Sequence, residues 1–141
     1  MVARGIRNNN PGNIRKGEDW NGLDKEKTKA ERDFCVFKDV MYGIRALCKV
    51  LLNYDRFYNI NTVQGIITRY APALENDTTR YTEYVCKKLD VDKKQKLDLT
   101  NPDIMIELIK ALITYENGGN PYTDAQIRKG MSLAGIKKEE I

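Results

Sequence analysis

The chain has 141 residues, 41% of them hydrophobic and 31% charged, with a net charge of +4 at pH 7. This fits one domain with a core of its own, and no apolar stretch approaches the roughly 20 residues a membrane span needs. Histidine is absent and three cysteines are scattered along the chain, which excludes Ser-His-Asp and Cys-His catalysis in their usual forms and leaves no ligand cluster for zinc.

Chemistry therefore falls to carboxylates, tyrosines, lysines and amides. The modest positive charge fits an anionic partner, either nucleic acid or an acidic polymer such as a bacterial cell wall, and equally a basic surface without function. Cys35, Cys48 and Cys86 have apolar neighbours and read as reduced, buried thiols. The start of the chain, Met1 to Arg7, has no apolar h-region, so no secretory signal is visible.

In chain order, the first 39 residues read as turn-rich. Asn-Asn-Asn-Pro-Gly-Asn over residues 8–13 is a strong loop signal. Its amides both donate and accept, which suits sugar hydroxyls and N-acetyl groups, and equally suits a loop that satisfies its own backbone. Asn10, Asn13, Arg15 and then Trp20, whose indole offers a flat face for a sugar ring, are the candidates for saccharide contact. Residues 25–32 are densely charged and read as a solvated loop. Residues 33–38 carry Phe34, Val36 and Phe37 and read as one strand of a small hairpin.

Helical periodicity starts near residue 40. Val40, Ile44, Leu47, Leu51 and Tyr54 recur at 3.6 spacing. Gly43 inside this pattern costs roughly 1 kcal/mol relative to Ala, so it marks close approach of another backbone. Thr62 caps a short helix bearing Val63, Ile66, Ile67 and Tyr70, which Ala71-Pro72 ends. Asp77 or Thr78 caps the next, with Tyr81, Tyr84, Val85 and Leu89 on one face. Asp77 suits a cap better than an acid, since a helix N-terminus stabilises the anion. Tyr81 is either core or a hydroxyl pointing into a cleft. Glu75, just before the cap, is left open. Asn101 and Pro102 open a helix that runs to Glu116, with Gly118 as its C-cap. Thr123 to Gln126 matches a capping box for a last helix with Ile127, Met131 and Ala134 inside, stopped at Gly135.

Glu116 is the most informative position. Ile104, Leu108 and Leu112 form an i, i+4 apolar row, and Glu116 continues it. Partial desolvation and the negative end of the helix dipole both favour the neutral acid there, which is the form a general acid needs. The alternative is a carboxylate that bends out to solvent at a frayed helix end.

Several of these segments together resemble a known group. Asn-Asn-Pro-Gly-Asn-Ile-Arg, then Trp20-x-Gly22, then Phe34-x-x-Phe37, resembles the middle of cell-wall glucosaminidases of the flagellar and autolysin type, which carry an Asn-Asn-Leu-Phe-Gly-Ile-Lys loop, a Trp-x-Gly and a Phe-Arg-x-Tyr. Residues 78–85, Thr-Thr-Arg-Tyr-Thr-Glu-Tyr-Val, are similar to a helix of lytic transglycosylases. In those groups the catalytic Glu comes earlier in the chain, in a Glu-Ser-Gly turn. Here Tyr115-Glu116-Asn117-Gly118-Gly119 is similar to that turn but comes last. Small phage-encoded proteins that open with Arg-Gly-Ile-Arg-Asn-Asn-Asn-Pro, cell-wall-degrading or virion structural, look like the nearest relatives.

The resemblance implies a mainly α, lysozyme-like single domain over residues 1–141, with permuted segment order and a small β-hairpin near residues 14–38. It implies cleavage of peptidoglycan glycan strands with Glu116 as general acid. Completion is either by hydrolysis with a second carboxylate or by transglycosylation, in which the sugar's own 6-hydroxyl attacks. Tyr81 would stabilise charge or orient the N-acetyl group. Glu31 falls near a hairpin acid of the glucosaminidase pattern, with Asp33 close by. Asn10, Asn13, Arg15, Trp20, Glu75 and Asn117 would bind substrate. Pro11-Gly12 in the opening loop and Asn117 after the acid depart from the family pattern. The expected partner is peptidoglycan, met by a monomer without cofactor, metal, nucleic acid or membrane span. The protein would reach the wall after lysis, as a virion component or as secreted cargo. The alternative is a non-catalytic virion or wall-binding module. A nucleic-acid binder ranks last, because the lysines lie among acids rather than on one basic face.

Overall fold

The computed structural model of the chain describes residues 2–71 and 77–137. Its elements are α1 (Arg4–Arg7), α2 (Lys25–Ala30), α3 (Val40–Tyr58), α4 (Val63–Tyr70), α5 (Thr78–Leu89), α6 (Pro102–Asn117) and α7 (Asp124–Leu133). No helix among them is long and apolar enough to cross a membrane.

The helix starts follow local side-chain chemistry. Asp39, Thr62, Asp77, Asn101 and Thr123 each accept a hydrogen bond from a backbone N–H of the first turn of α3, α4, α5, α6 and α7, which satisfies donors a helix leaves open. Thr123 and Gln126 complete a reciprocal capping box. Gly118 closes α6 in the left-handed region at φ 74°.

α6 lies at the centre. Met105, Ile106, Leu108, Ile109, Ala111, Leu112 and Ile113 are all buried, and α5 packs along it. α7 packs along α3, and α4 along α5. Tyr81, Ile66, Ile67, Leu47 and Leu51 are among the largest side chains fully withdrawn from water. Cys35, Cys48 and Cys86 are free thiols. Burial pushes Cys48 up to about 12.

Two expectations for the first 39 residues change. Residues 25–30 form α2, capped by Asp24, rather than a loop. Its Thr28 hydroxyl both accepts from Val36 N–H at 2.9 Å and donates to the Val36 carbonyl at 3.1 Å. The small hairpin reduces to two isolated antiparallel bridges, Arg15 with Phe34 and Leu23 with Phe37. Residues 33–38 divide their backbone among several partners: Cys35 N–H donates to Ile14, Phe37 N–H to Asn8, and Lys38 N–H to Gly22. No pairing is long enough to form a strand.

The asparagine loop docks on α3 at Gly43. A Cβ there would land on the Asn9 carbonyl oxygen and 3.0 Å from its carbon, so the close approach inferred from sequence is present. Ala is the better helix former by about 1 kcal/mol, but it would force backbone against backbone. Gly43→Ala is expected to destabilise the fold by about 2 kcal/mol or more. Thermal melting checks this, and an unchanged or raised midpoint would contradict it.

Candidate functional site

An open groove of about 700 Å³ runs between the N-terminal loop and the ends of α3, α4 and α6. Glu116, Asn13, Arg15, Arg4, Asp33, Tyr54 and Tyr70 are among the residues that line it. The groove brings together chain positions over 100 residues apart, and two bonds make that join. Asn13 Nδ2 donates to Glu116 Oε1 at 3.3 Å. Asn117 Nδ2 donates to the Pro11 carbonyl at 2.8 Å and to Ile113 of its own helix at 2.9 Å.

Glu116 is half-buried at the last turn of α6. Tyr70, at the end of α4, donates its hydroxyl to the Gly12 carbonyl. Burial, then the charges of Glu116 and Tyr54, hold the Tyr70 phenol well above its ordinary range. Tyr81 is fully buried and stacks on Tyr115, with ring centroids 3.9 Å apart and planes 19° from parallel. Its hydroxyl is buried without a well-formed hydrogen bond. Burial, then the neighbouring Tyr70 and Glu116, push its phenol up. The acid therefore stands between a bonded amide in front and two un-ionised phenols. Asn13 itself sits in the left-handed region at φ 51°, a conformation asparagine tolerates better than most residues.

The structure sorts the residues singled out from sequence. Glu116, Asn13 and Arg15 meet at the groove. Asn10 is turned away from the groove: it is fully buried, donating to the Ile14 and Cys35 carbonyls at 3.0 and 2.9 Å and accepting from Ile14 N–H at 2.9 Å. Trp20 is half-buried against the core and is not part of the groove lining. Asn117 spends both amide hydrogens on backbone carbonyls, so it acts as a brace between α6 and the loop. Tyr81 lies behind the acid in the core rather than on the groove surface. Glu31 lies in a separate depression with Arg7, Asn8 and Lys27, and it accepts from Asn8 at 3.4 Å. Among the described lining residues the second carboxylate on the groove is Asp33. Glu75 lies outside the described residues.

Sequence reading passed over Tyr70, Tyr54 and Arg4 as site residues. Tyr54 and Tyr70 sit near helix ends, at the edge of an apolar stripe, where a phenol reads as core. Arg4 belongs to a helix of four residues with no periodicity to find. Among the described residues, no group of three His, Cys, Asp or Glu side chains is placed to hold a metal ion.

Fold and site together describe a mainly helical domain with a carboxylic acid in a mixed-charge, tyrosine-walled groove. No family model matches the sequence. The chain is 42% identical over 136 residues to Protein P5 of Pseudoalteromonas phage PM2, a match that covers 92% of this chain and 80% of that protein. The chain belongs to the family of that phage protein.

The buried phenols set an alkaline limit on the fold. A phenol whose pKa is raised in the native state contributes stability that is whole below its unfolded value, near 10, and is lost as pH rises above it. Tyr81→Phe removes one such group together with its unbonded buried hydroxyl. It is expected to move the midpoint of alkaline unfolding upward, followed by circular dichroism. A midpoint that stays put or falls would contradict this account of Tyr81.

Proposed function

We propose that the protein cleaves the glycan strands of bacterial peptidoglycan, with Glu116 as the general acid that protonates the departing glycosidic oxygen. The observation that carries this reading is the Glu116 carboxylate in a groove of about 700 Å³, held by the Asn13 amide at 3.3 Å. A proton donor needs fixed geometry relative to the bond it breaks, and the Asn13 and Asn117 contacts supply it. The groove is open, as a polymer that enters from the side requires. Its rim carries Arg4 and Arg15, suited to an anionic strand, and Arg4 is fixed over the Phe34 ring at 3.7 Å from the centroid.

The resemblance to glucosaminidases and lytic transglycosylases supports the same chemistry in a lysozyme-like fold of permuted order. Kinship with a phage protein fits a molecule that meets the wall when a particle enters or leaves a cell. Among the described lining residues Asp33 is the second carboxylate of the groove. It is the candidate base or nucleophile if the reaction is hydrolysis. Transglycosylation would need Glu116 alone.

Glu116→Gln keeps an acceptor for Asn13 while removing the acidic proton. It is expected to lose about 3 kcal/mol of transition-state stabilisation, roughly 100-fold or more in kcat/KM. Turbidity of purified peptidoglycan measures this. A folded Glu116→Gln protein that clears the wall at the wild-type rate would refute the role. A wild-type protein that binds the wall without clearing it would favour the non-catalytic module.

A further inference from the structure

The wall of the groove continues past its end along α3. Val50 and Tyr54 line the groove. Tyr58 is the next member of that i, i+4 row, about 6 Å further along the helix axis. Tyr58 is 57% exposed and its neighbour Phe57 is 65% exposed. Scattered surface aromatics need no explanation, but these two are adjacent, continuous with a groove, and each carries a guanidinium. Arg69 of α4 lies 4.2 Å from the Tyr58 ring centroid and 5.7 Å from that of Tyr54. Arg56 lies 5.5 Å from that of Phe57.

The platform is held in place. Asn59 ends α3 in the left-handed region at φ 55°. Ile60 N–H then donates back to the Tyr54 carbonyl at 2.9 Å, and Asn61 Nδ2 bonds Asp55 at 3.0 Å. Arg69 makes no ion pair among the described residues. A guanidinium over an aromatic ring keeps its N–H edge free for a planar anion, and a carboxylate fits that edge with two bonds.

We propose that Tyr58 and Arg69 form an outer subsite for an anionic sugar, in which the Tyr58 ring takes the face of the pyranose and Arg69 takes a carboxylate of its substituent. This rests on the peptidoglycan reading and deepens it: the subsite prefers strands whose stem peptides keep their ionised carboxylates over strands whose carboxylates are neutralised. Tyr54 links it to the groove, so that one strand runs from Tyr58 past Tyr54 to Glu116. The Tyr58 and Arg69 side chains are exposed, so their replacement leaves the core untouched.

The test is binding, which does not depend on turnover. Wild type, Tyr58→Ala and Arg69→Gln are sedimented with two insoluble probes: intact sacculi, and sacculi whose stem-peptide carboxylates have been converted to neutral amides with a carbodiimide and an amine. The Tyr58 variant is expected to lose roughly tenfold in affinity for both probes. The Arg69 variant is expected to lose a similar factor on intact sacculi and little on the amidated ones. Wild-type affinity in both variants would overturn the proposal, as would no binding by the wild type, or an equal loss on both probes for Arg69→Gln. Anionic phospholipid vesicles serve as a third probe. A loss confined to the vesicles would assign the patch to a membrane surface instead and overturn it too. Loss of clearing in Glu116→Gln with unchanged binding by the Tyr58 and Arg69 variants would sink this subsite and leave the acid in place. Normal clearing by Glu116→Gln with the expected binding losses would do the reverse.

Discussion

The end of α6 is fastened to the loop of residues 8–15 by Asn117, whose amide donates to the Pro11 carbonyl at 2.8 Å and to Ile113 of its own helix at 2.9 Å. That brace joins positions 106 residues apart in sequence, next to the Gly12, Asn13 and Glu116 positions that line the groove. Close packing at Gly5 tightens the join. A side chain there would come 2.5 Å from Asn117 Oδ1 and 2.8 Å from the Asn10 carbonyl. With α6 held against the loop, Glu116 faces Asn13, and Tyr81 and Tyr70 fill the space around it. Three polar atoms of this seam, on Asn13, Asn117 and Tyr81, are buried without a partner. Such groups cost roughly 1–3 kcal/mol each, so the seam trades stability for placement of the acid, a pattern common at functional sites.

The loop itself divides its asparagines between two tasks. Asn9 donates to the Phe37 carbonyl at 3.1 Å, and Asn10 bonds Ile14 and Cys35. These two replace the backbone pairing a longer hairpin would have supplied. Only Asn13 of the set reaches the acid. An amide-rich run thus serves folding first and the groove second, through one residue held in a left-handed conformation.

Much of the helical scaffold was legible because its signals are local. Caps at Thr62, Asp77, Asn101 and Thr123 are properties of a few neighbouring residues, and the apolar rows of α3 and α6 follow from 3.6 spacing. Glu116 as the continuation of the Ile104–Leu108–Leu112 row was legible for the same reason. α2 was not, because only Thr28 of its six residues is buried and no stripe marks it. Glu31 and Asp33 are two positions apart yet open onto different depressions. Spacing alone gave no means to choose between them, since α2 and the two bridges set which way each faces. Asn10 and Asn13 likewise look alike in sequence and differ only in what the fold wraps around them.

The electrostatics of the groove are mixed rather than simply basic. Arg4 and Arg15 stand with Asp33 and Glu116 along one lining, and uncharged phenols close the back. This suits a substrate that carries both hydroxyl-rich rings and carboxylates, and it suits a polyphosphate backbone poorly, which calls for an unbroken cationic face. The most direct test of the central claim is mass analysis of what the wild-type protein releases from purified peptidoglycan. The expected products carry new glycan ends: an anhydro-muramyl end from transglycosylation, or a reducing muramic acid or glucosamine from hydrolysis. Glycan strands that stay uncut after prolonged incubation with folded protein, or fragments cut only within the stem peptides, would contradict it.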